Sequence, residues 1–164
     1  MTDSERCYLA ALRILGYRFN SEAELRRKLQ RKKFEKAVID GTIARLRDEK
    51  WLDDERFAGA FVRTRAQKRV GAKRILRELH AAGVPEDVAA DAVKENVDAE
   101  RERETLREVC ERRARLLAQR HGEDYLASAE GRKKLTVYLL NQGYDAALVY
   151  EAVREIRARS SGAS

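Results

Sequence analysis

The apolar series Leu25, Leu29, Phe34, Val38, Ile39, Ile43 recurs fifty residues later as Ile75, Leu79, Val84, Val88, Ala89, Val93, and sixty residues further as Leu135, Leu139, Tyr144, Leu148, Val149, Val153. All three sets are apolar throughout, in a chain that is only 43% apolar. A repeat kept this strictly means three copies of one structural unit.

Each copy has the same grammar. Two apolar residues at i and i+4 are followed by a break at Lys33, Gly83 or Gly143, and then by a second apolar run at helical spacing. Gly83 and Gly143 suit a left-handed residue just past a helix end, and Lys33 departs from that pattern. Ser21 with Glu24 reads as a capping box, and Pro85 followed by Glu86 and Asp87 reads as a first-turn proline with acids at the positive helix end. A further helix precedes each pair, over residues 4–16, 54–69 and 98–121. The last of these carries Leu106, Val109, Cys110, Arg113, Leu116 and Leu117 at a/d-like spacing. The extra residues between copies two and three fall in that helix and in the loop "RHGEDYLASAEGR".

The predicted fold class is therefore all-α: three tandem three-helix repeats, about nine helices in all. The repeats are bounded at 1–52, 53–97 and 98–159, with a disordered tail at 160–164. Because each helix has only one apolar stripe, neighbours must stack to complete a core, and an elongated, curved array is expected.

Little in the sequence argues for chemistry. Cys7 and Cys110 sit on apolar helical positions far apart, as expected of buried reduced thiols. His80 and His121 have no carboxylate or thiol at ligand spacing, and the glycines are scattered singly rather than gathered in a phosphate loop. The chain is expected not to be an enzyme and to need no cofactor and no metal. It has no apolar run of membrane-span length, and its start "MTDSERCYLAAL" lacks the regions of a signal peptide, so no membrane association and a cytoplasmic location are expected.

The one local pattern that could be catalytic is the acidic doublet in "EKWLDDERFAGAF", residues 49–61. A structural role explains it better. Asp53 is placed to cap the helix that opens the second repeat, accepting from the backbone of Glu55 or Arg56, while Leu52 and Phe57 staple the turn. Asp54 and Glu55 then lie in the first turn, where the helix dipole favours acids. Trp51, the only tryptophan, is expected to bury its ring in the joint between repeats one and two.

Charge is unevenly spread. Residues 24–36 hold seven cations against two acids, residues 63–80 hold seven against one, and residues 86–104 hold three against eight. With a formal net charge of +7, the basic runs favour a polyanionic partner. "AKRILRELHAAGVPEDVAADAV" has the outline of a helix-turn-helix. Its second helix opens on Glu86, Asp87 and Asp91, however, and acids there do not suit a recognition helix entering a phosphate-lined groove.

Residues 51–84, "WLDDERFAGAFVRTRAQKRVGAKRILRELHAAGV", resemble the core signature of the RecX family of recombinase regulators. The resemblance rests on Leu52-Asp53-Asp54, Phe57-Ala58, Gly71, Arg74-Ile75, Glu78-Leu79 and Gly83, with Trp51 ahead of them. "SEAELRRKL", residues 21–29, resembles that family's first-repeat segment, and coverage runs from about Tyr8 to Ile156. Arg69-Val70 stands where a second glycine is common before Gly71, and the third repeat matches only by apolar pattern. The family is known for three tandem three-helix repeats.

The resemblance implies a regulator that binds the RecA–single-stranded-DNA filament in its helical groove and inhibits ATP hydrolysis, strand exchange and co-protease activity. Direct contact with single-stranded and double-stranded DNA is the further implication. Homologous recombination, DNA repair and the SOS response are the processes implied. The residues expected to supply the electrostatic contact are Arg26, Arg27, Arg31, Lys32, Arg65, Lys68, Arg69, Lys73, Arg74 and Arg77. Two other readings are a free-standing basic nucleic-acid-binding module acting without a recombinase, and a helical scaffold for an unrelated acidic protein. No sustained heptad demands a dimer, so a monomer is expected.

Overall fold

The computed structural model describes residues 1–162, so the last two residues of the tail expected over 160–164 lie outside the described ones. The fold is all-α. Among the described residues nine α-helices follow in order: α1 (Asp3–Tyr17), α2 (Glu22–Arg31), α3 (Lys36–Asp48), α4 (Asp54–Gln67), α5 (Ala72–Ala81), α6 (Glu86–Asn96), α7 (Ala99–His121), α8 (Ala129–Asn141) and α9 (Ala146–Ser161). A short 3₁₀ helix, Glu123–Ala127, occupies the loop after α7 and buries Leu126. Among the described residues there is no strand, and no helix is long and apolar enough to cross a membrane.

Two compact units arise, one of residues 1–61 with 77–93, the other of residues 62–76 with 94–162 among those described. The core of the first is built on Cys7, Leu25, Leu29, Ile39, Ile43 and Leu46. That of the second is built on Leu106, Cys110, Leu117, Leu135, Leu139 and Val149. Every member of the repeated apolar series is buried or partly buried. Periodicity alone thus marked the inward faces of α2 and α3, α5 and α6, α8 and α9. Both thiols are buried and free, and burial pushes the Cys110 thiol up to about 12.

The turns repeat as faithfully as the helices. After α2, α3, α4, α5 and α8 the chain takes one left-handed residue, at Lys33, Lys50, Arg69, Gly83 and Gly143 respectively. Each of these donates back to the carbonyl three residues before it, and the next residue donates to the carbonyl five before it, as Lys50 does to Arg47 and Trp51 to Leu46. This is the Schellman closure, which satisfies the orphan carbonyls of a helix end. Lys33 is therefore no exception to the pattern: it takes φ +68° despite its side chain. A cation there also faces the negative end of the helix it closes, which offsets part of the strain.

Two further expectations are corrected. Pro85 is the residue before α6 rather than within its first turn, and its carbonyl accepts from Ala89 at 2.9 Å. Trp51 is 58% exposed and fills no joint, whereas Leu52 is 4% exposed. After the same closure Val84 and Tyr144 turn inward, each 3% exposed, whereas after Lys50 the aliphatic Leu52, one residue later, takes the core position and the indole is left at the surface.

Candidate functional site

The acidic doublet does structural work, as two separate hydrogen bonds. Asp53 Oδ1 accepts from the Arg56 backbone at 3.0 Å, capping α4, and Leu52 and Phe57 are both buried beside it. Asp54 reaches away from its own helix and accepts from the Glu22 backbone at 2.9 Å, so it caps the first turn of α2. Partial burial raises the Asp54 carboxyl above the ordinary range, against the lowering effect of that backbone bond. Glu22 in turn holds Arg47 at 2.7 Å.

The signature glycines explain themselves through one contact that occurs twice. Within the first unit, the start of α2 packs on the left-handed turn after α5. The Ser21 hydroxyl, fully buried, donates to the Ala82 carbonyl at 2.5 Å and accepts from Glu24 at 3.1 Å. A Cβ on Gly83 would fall 2.4 Å from Ala23 Cβ. Within the second unit, the start of α5 packs on the left-handed turn after α8. Gly71 N–H donates to Gln142 at 2.8 Å and Lys73 N–H donates to Gly143 at 3.0 Å. A Cβ on Gly71 would meet the Gly143 carbonyl carbon at 2.4 Å. Ser21 and Gly71 differ by the first repeat offset and Ala82 and Gln142 by the second. The same junction is thus built once with a hydroxyl and once with bare backbone.

The second junction is tied further by polar groups. Tyr144 donates from its phenol to the Arg69 carbonyl at 2.6 Å, and burial holds that phenol up at about 12. Glu102 accepts from the Ala72 backbone at 2.7 Å, capping α5. Lys73 pairs with Asp145 at 3.0 Å and lowers its carboxyl, although both are solvated.

The ten cations expected at the contact surface divide by environment. Arg27, Arg31, Lys32, Lys68, Arg69, Lys73 and Arg77 are exposed, and Arg26, Arg65 and Arg74 are partly buried. Arg26 is held by Asp40, with Glu22 3.6 Å away. Arg27 donates to the Ala81 carbonyl at 3.2 Å, and Arg69 lies 3.5 Å from Glu108. Arg31 and Lys32 close α2, Lys68 and Arg69 follow α4, and Lys73, Arg74 and Arg77 ride on α5.

One group escaped the sequence reading. Lys68, Arg69, Val109, Arg112, Arg113, Leu116, Tyr138 and Gln142 line a cleft of about 290 Å³ in the second unit. Arg113 holds one of the a/d-like positions of α7. Its guanidinium carbon sits over the Tyr138 ring, 4.4 Å from the centroid. An arginine within an a/d-like series was the available signal.

Fold and surface together define a class: an all-α protein of tandem three-helix repeats with cation-rich helix faces. Models of the first and second RecX three-helix domains match residues 7–46 and 53–93. Regulatory protein RecX of Chlorobium phaeobacteroides (strain BS1) is 32% identical over 156 residues, spanning 94% of this chain and 96% of the relative. Its counterpart in Clostridium perfringens (strain 13 / Type A) is 32% identical over 140 residues, which span 85% of this chain and 63% of that longer relative. The crystal structure of RecX from Lactobacillus salivarius superposes with a TM-score of 0.77 at 26% identity, covering 94% of this chain and 96% of that one. A second crystal structure, of a regulatory protein RecX, shares the fold with a TM-score of 0.78 at 20% identity. The chain belongs to the RecX family of regulatory proteins.

Proposed function

We propose that the chain regulates RecA by binding the RecA–single-stranded-DNA filament in its helical groove, lowering ATP hydrolysis, strand exchange and co-protease activity. It acts in the cytoplasm as a monomer, with no catalytic step of its own. The observation that carries this reading is that seven of the ten cations singled out are exposed, on a chain whose relatives are named regulatory protein RecX. Cations gathered on helix ends and faces repel one another in the free protein, and a phosphate-rich or acidic surface relieves that repulsion. The three partly buried arginines, Arg26, Arg65 and Arg74, offer less of their charge to such a surface.

The test uses Arg31→Glu, Lys32→Glu and Arg77→Glu together, three exposed residues outside the glycine junctions. Inhibition of filament ATPase should be lost while the thermal transition of the variant stays close to that of the parent. Full inhibition by a folded triple variant would remove these cations from the mechanism.

A further inference from the structure

The cleft beside α7 has a composition that neither apolar packing nor ordinary surface solvation explains. Its lining holds four cations, Lys68, Arg69, Arg112 and Arg113, and no carboxylate. Glu108 stands 3.5 Å from Arg69, with both side chains about half exposed, so that pair is screened by solvent and leaves the cationic field of the cleft largely intact. The floor is flat. The Arg113 guanidinium stacks on Tyr138, its Nε is covered and unpaired, and ring stacking rather than hydrogen bonding orients it. Leu116, 48% exposed, continues the platform one turn further along α7. Val109, Arg112, Arg113 and Leu116 are spaced i, i+3, i+4 and i+7, so one face of one helix carries both the charge and the platform.

We propose that this cleft is a binding site for single-stranded nucleic acid, with phosphates neutralised by Lys68, Arg69 and Arg112 and a base laid on the Arg113–Leu116 platform. A polyanion is required by the charge. A single strand is favoured over an acidic peptide because each of its phosphates comes with a flat π-face, and bases stack on aromatic rings and guanidinium planes. A duplex keeps its base faces stacked inward and offers none to the platform. The site is small, at about 290 Å³, which suits one nucleotide and its flanking phosphates. The proposal rests on the regulatory reading above and deepens it by giving the third repeat a contact of its own with the strand.

The full chain is titrated into a labelled oligothymidylate and into an abasic oligomer of the same length, read by fluorescence anisotropy across a salt series. The parent should bind the thymidylate about tenfold more tightly than the abasic strand. Arg113→Lys, which keeps the charge and removes the plane, should abolish that preference. Arg112→Gln should keep the preference while making the slope of log affinity against log salt shallower by about 0.7. Arg112 is exposed, so this variant folds. The proposal is overturned if Arg113→Lys retains the full preference, if Arg112→Gln leaves the slope unchanged, or if polyglutamate competes as well as thymidylate. The same variants in a filament ATPase assay separate the two readings. Unaltered bare-strand binding with inhibition by the parent intact sinks the cleft alone, whereas absence of inhibition by the parent sinks the regulatory reading.

Discussion

Replacing Gly71 by alanine should damage the protein far more than a single methyl group ordinarily does. The added Cβ would lie 2.4 Å from the Gly143 carbonyl carbon, 2.5 Å from its oxygen and 2.6 Å from the Tyr144 nitrogen. These are backbone atoms in a closed turn and cannot swing aside. Overpacking of this kind costs about 1–3 kcal/mol. Separating the two segments also strains the bonds from Gly71 to Gln142 and from Lys73 to Gly143, worth about 1 kcal/mol each. The expected loss is thus about 3–5 kcal/mol, a large part of the 5–15 kcal/mol that holds a typical domain folded. For a chain of this size each kcal/mol moves the thermal midpoint by about 2–4 °C, so a drop of roughly 10 °C is expected. Gly41→Ala is the control, because nothing lies within 4 Å of its Cβ position and Gly41 is inside α3. That variant should gain about 0.5–1 kcal/mol. Urea denaturation of both variants is the assay. Gly71→Ala within 0.5 kcal/mol of the parent would refute the account of how the α5 start seats on the α8–α9 turn.

Three other outcomes follow from the geometry. Lys33→Gly should stabilise by up to about 1 kcal/mol, since the left-handed strain at φ +68° is removed, and a lowered urea midpoint would contradict this. Trp51 should respond freely to an aqueous quencher in the native state and shift its emission little on unfolding, while Trp51→Phe should change stability by less than about 1 kcal/mol; a strongly blue-shifted native emission would place the indole in a core instead. Asp54→Asn keeps an acceptor for the Glu22 backbone and removes a charge that is disfavoured by burial. Because the native Asp54 carboxyl titrates above its unfolded value, its penalty is absent below the ordinary aspartate range and sets in as pH rises through the raised value. The asparagine variant should therefore gain on the parent at neutral pH and lose that gain in acid, which paired urea titrations at the two pH values would show; a gain independent of pH would point to another cause.

Much of this was legible in the sequence because it is periodic. The apolar series named the inward faces of six helices, and Ser21-Glu24 and Asp53 named two caps that the hydrogen bonds reproduce. What the periodicity could not carry was direction at a turn. The same closure precedes a buried residue at Val84 and Tyr144 and an exposed one at Trp51, and nothing in hydrophobicity ranks Leu52 ahead of the larger Trp51. Left-handed Lys33, Lys50 and Arg69 were hidden because residue preference points to glycine, while helix-end closure and a favourable dipole accept a cation. The role of Gly71 as a seat for a distant turn, and the Arg113–Tyr138 stack, depend on residues 72 and 25 positions apart that only the fold brings together.

The most direct measurement of the central claim is binding of the intact chain to RecA-coated single strand compared with bare strand of the same length and salt. The regulatory reading predicts tighter binding to the coated strand, with filament ATPase falling in step with occupancy. Equal or weaker binding to the coated strand, with ATPase unchanged at saturation, would contradict it.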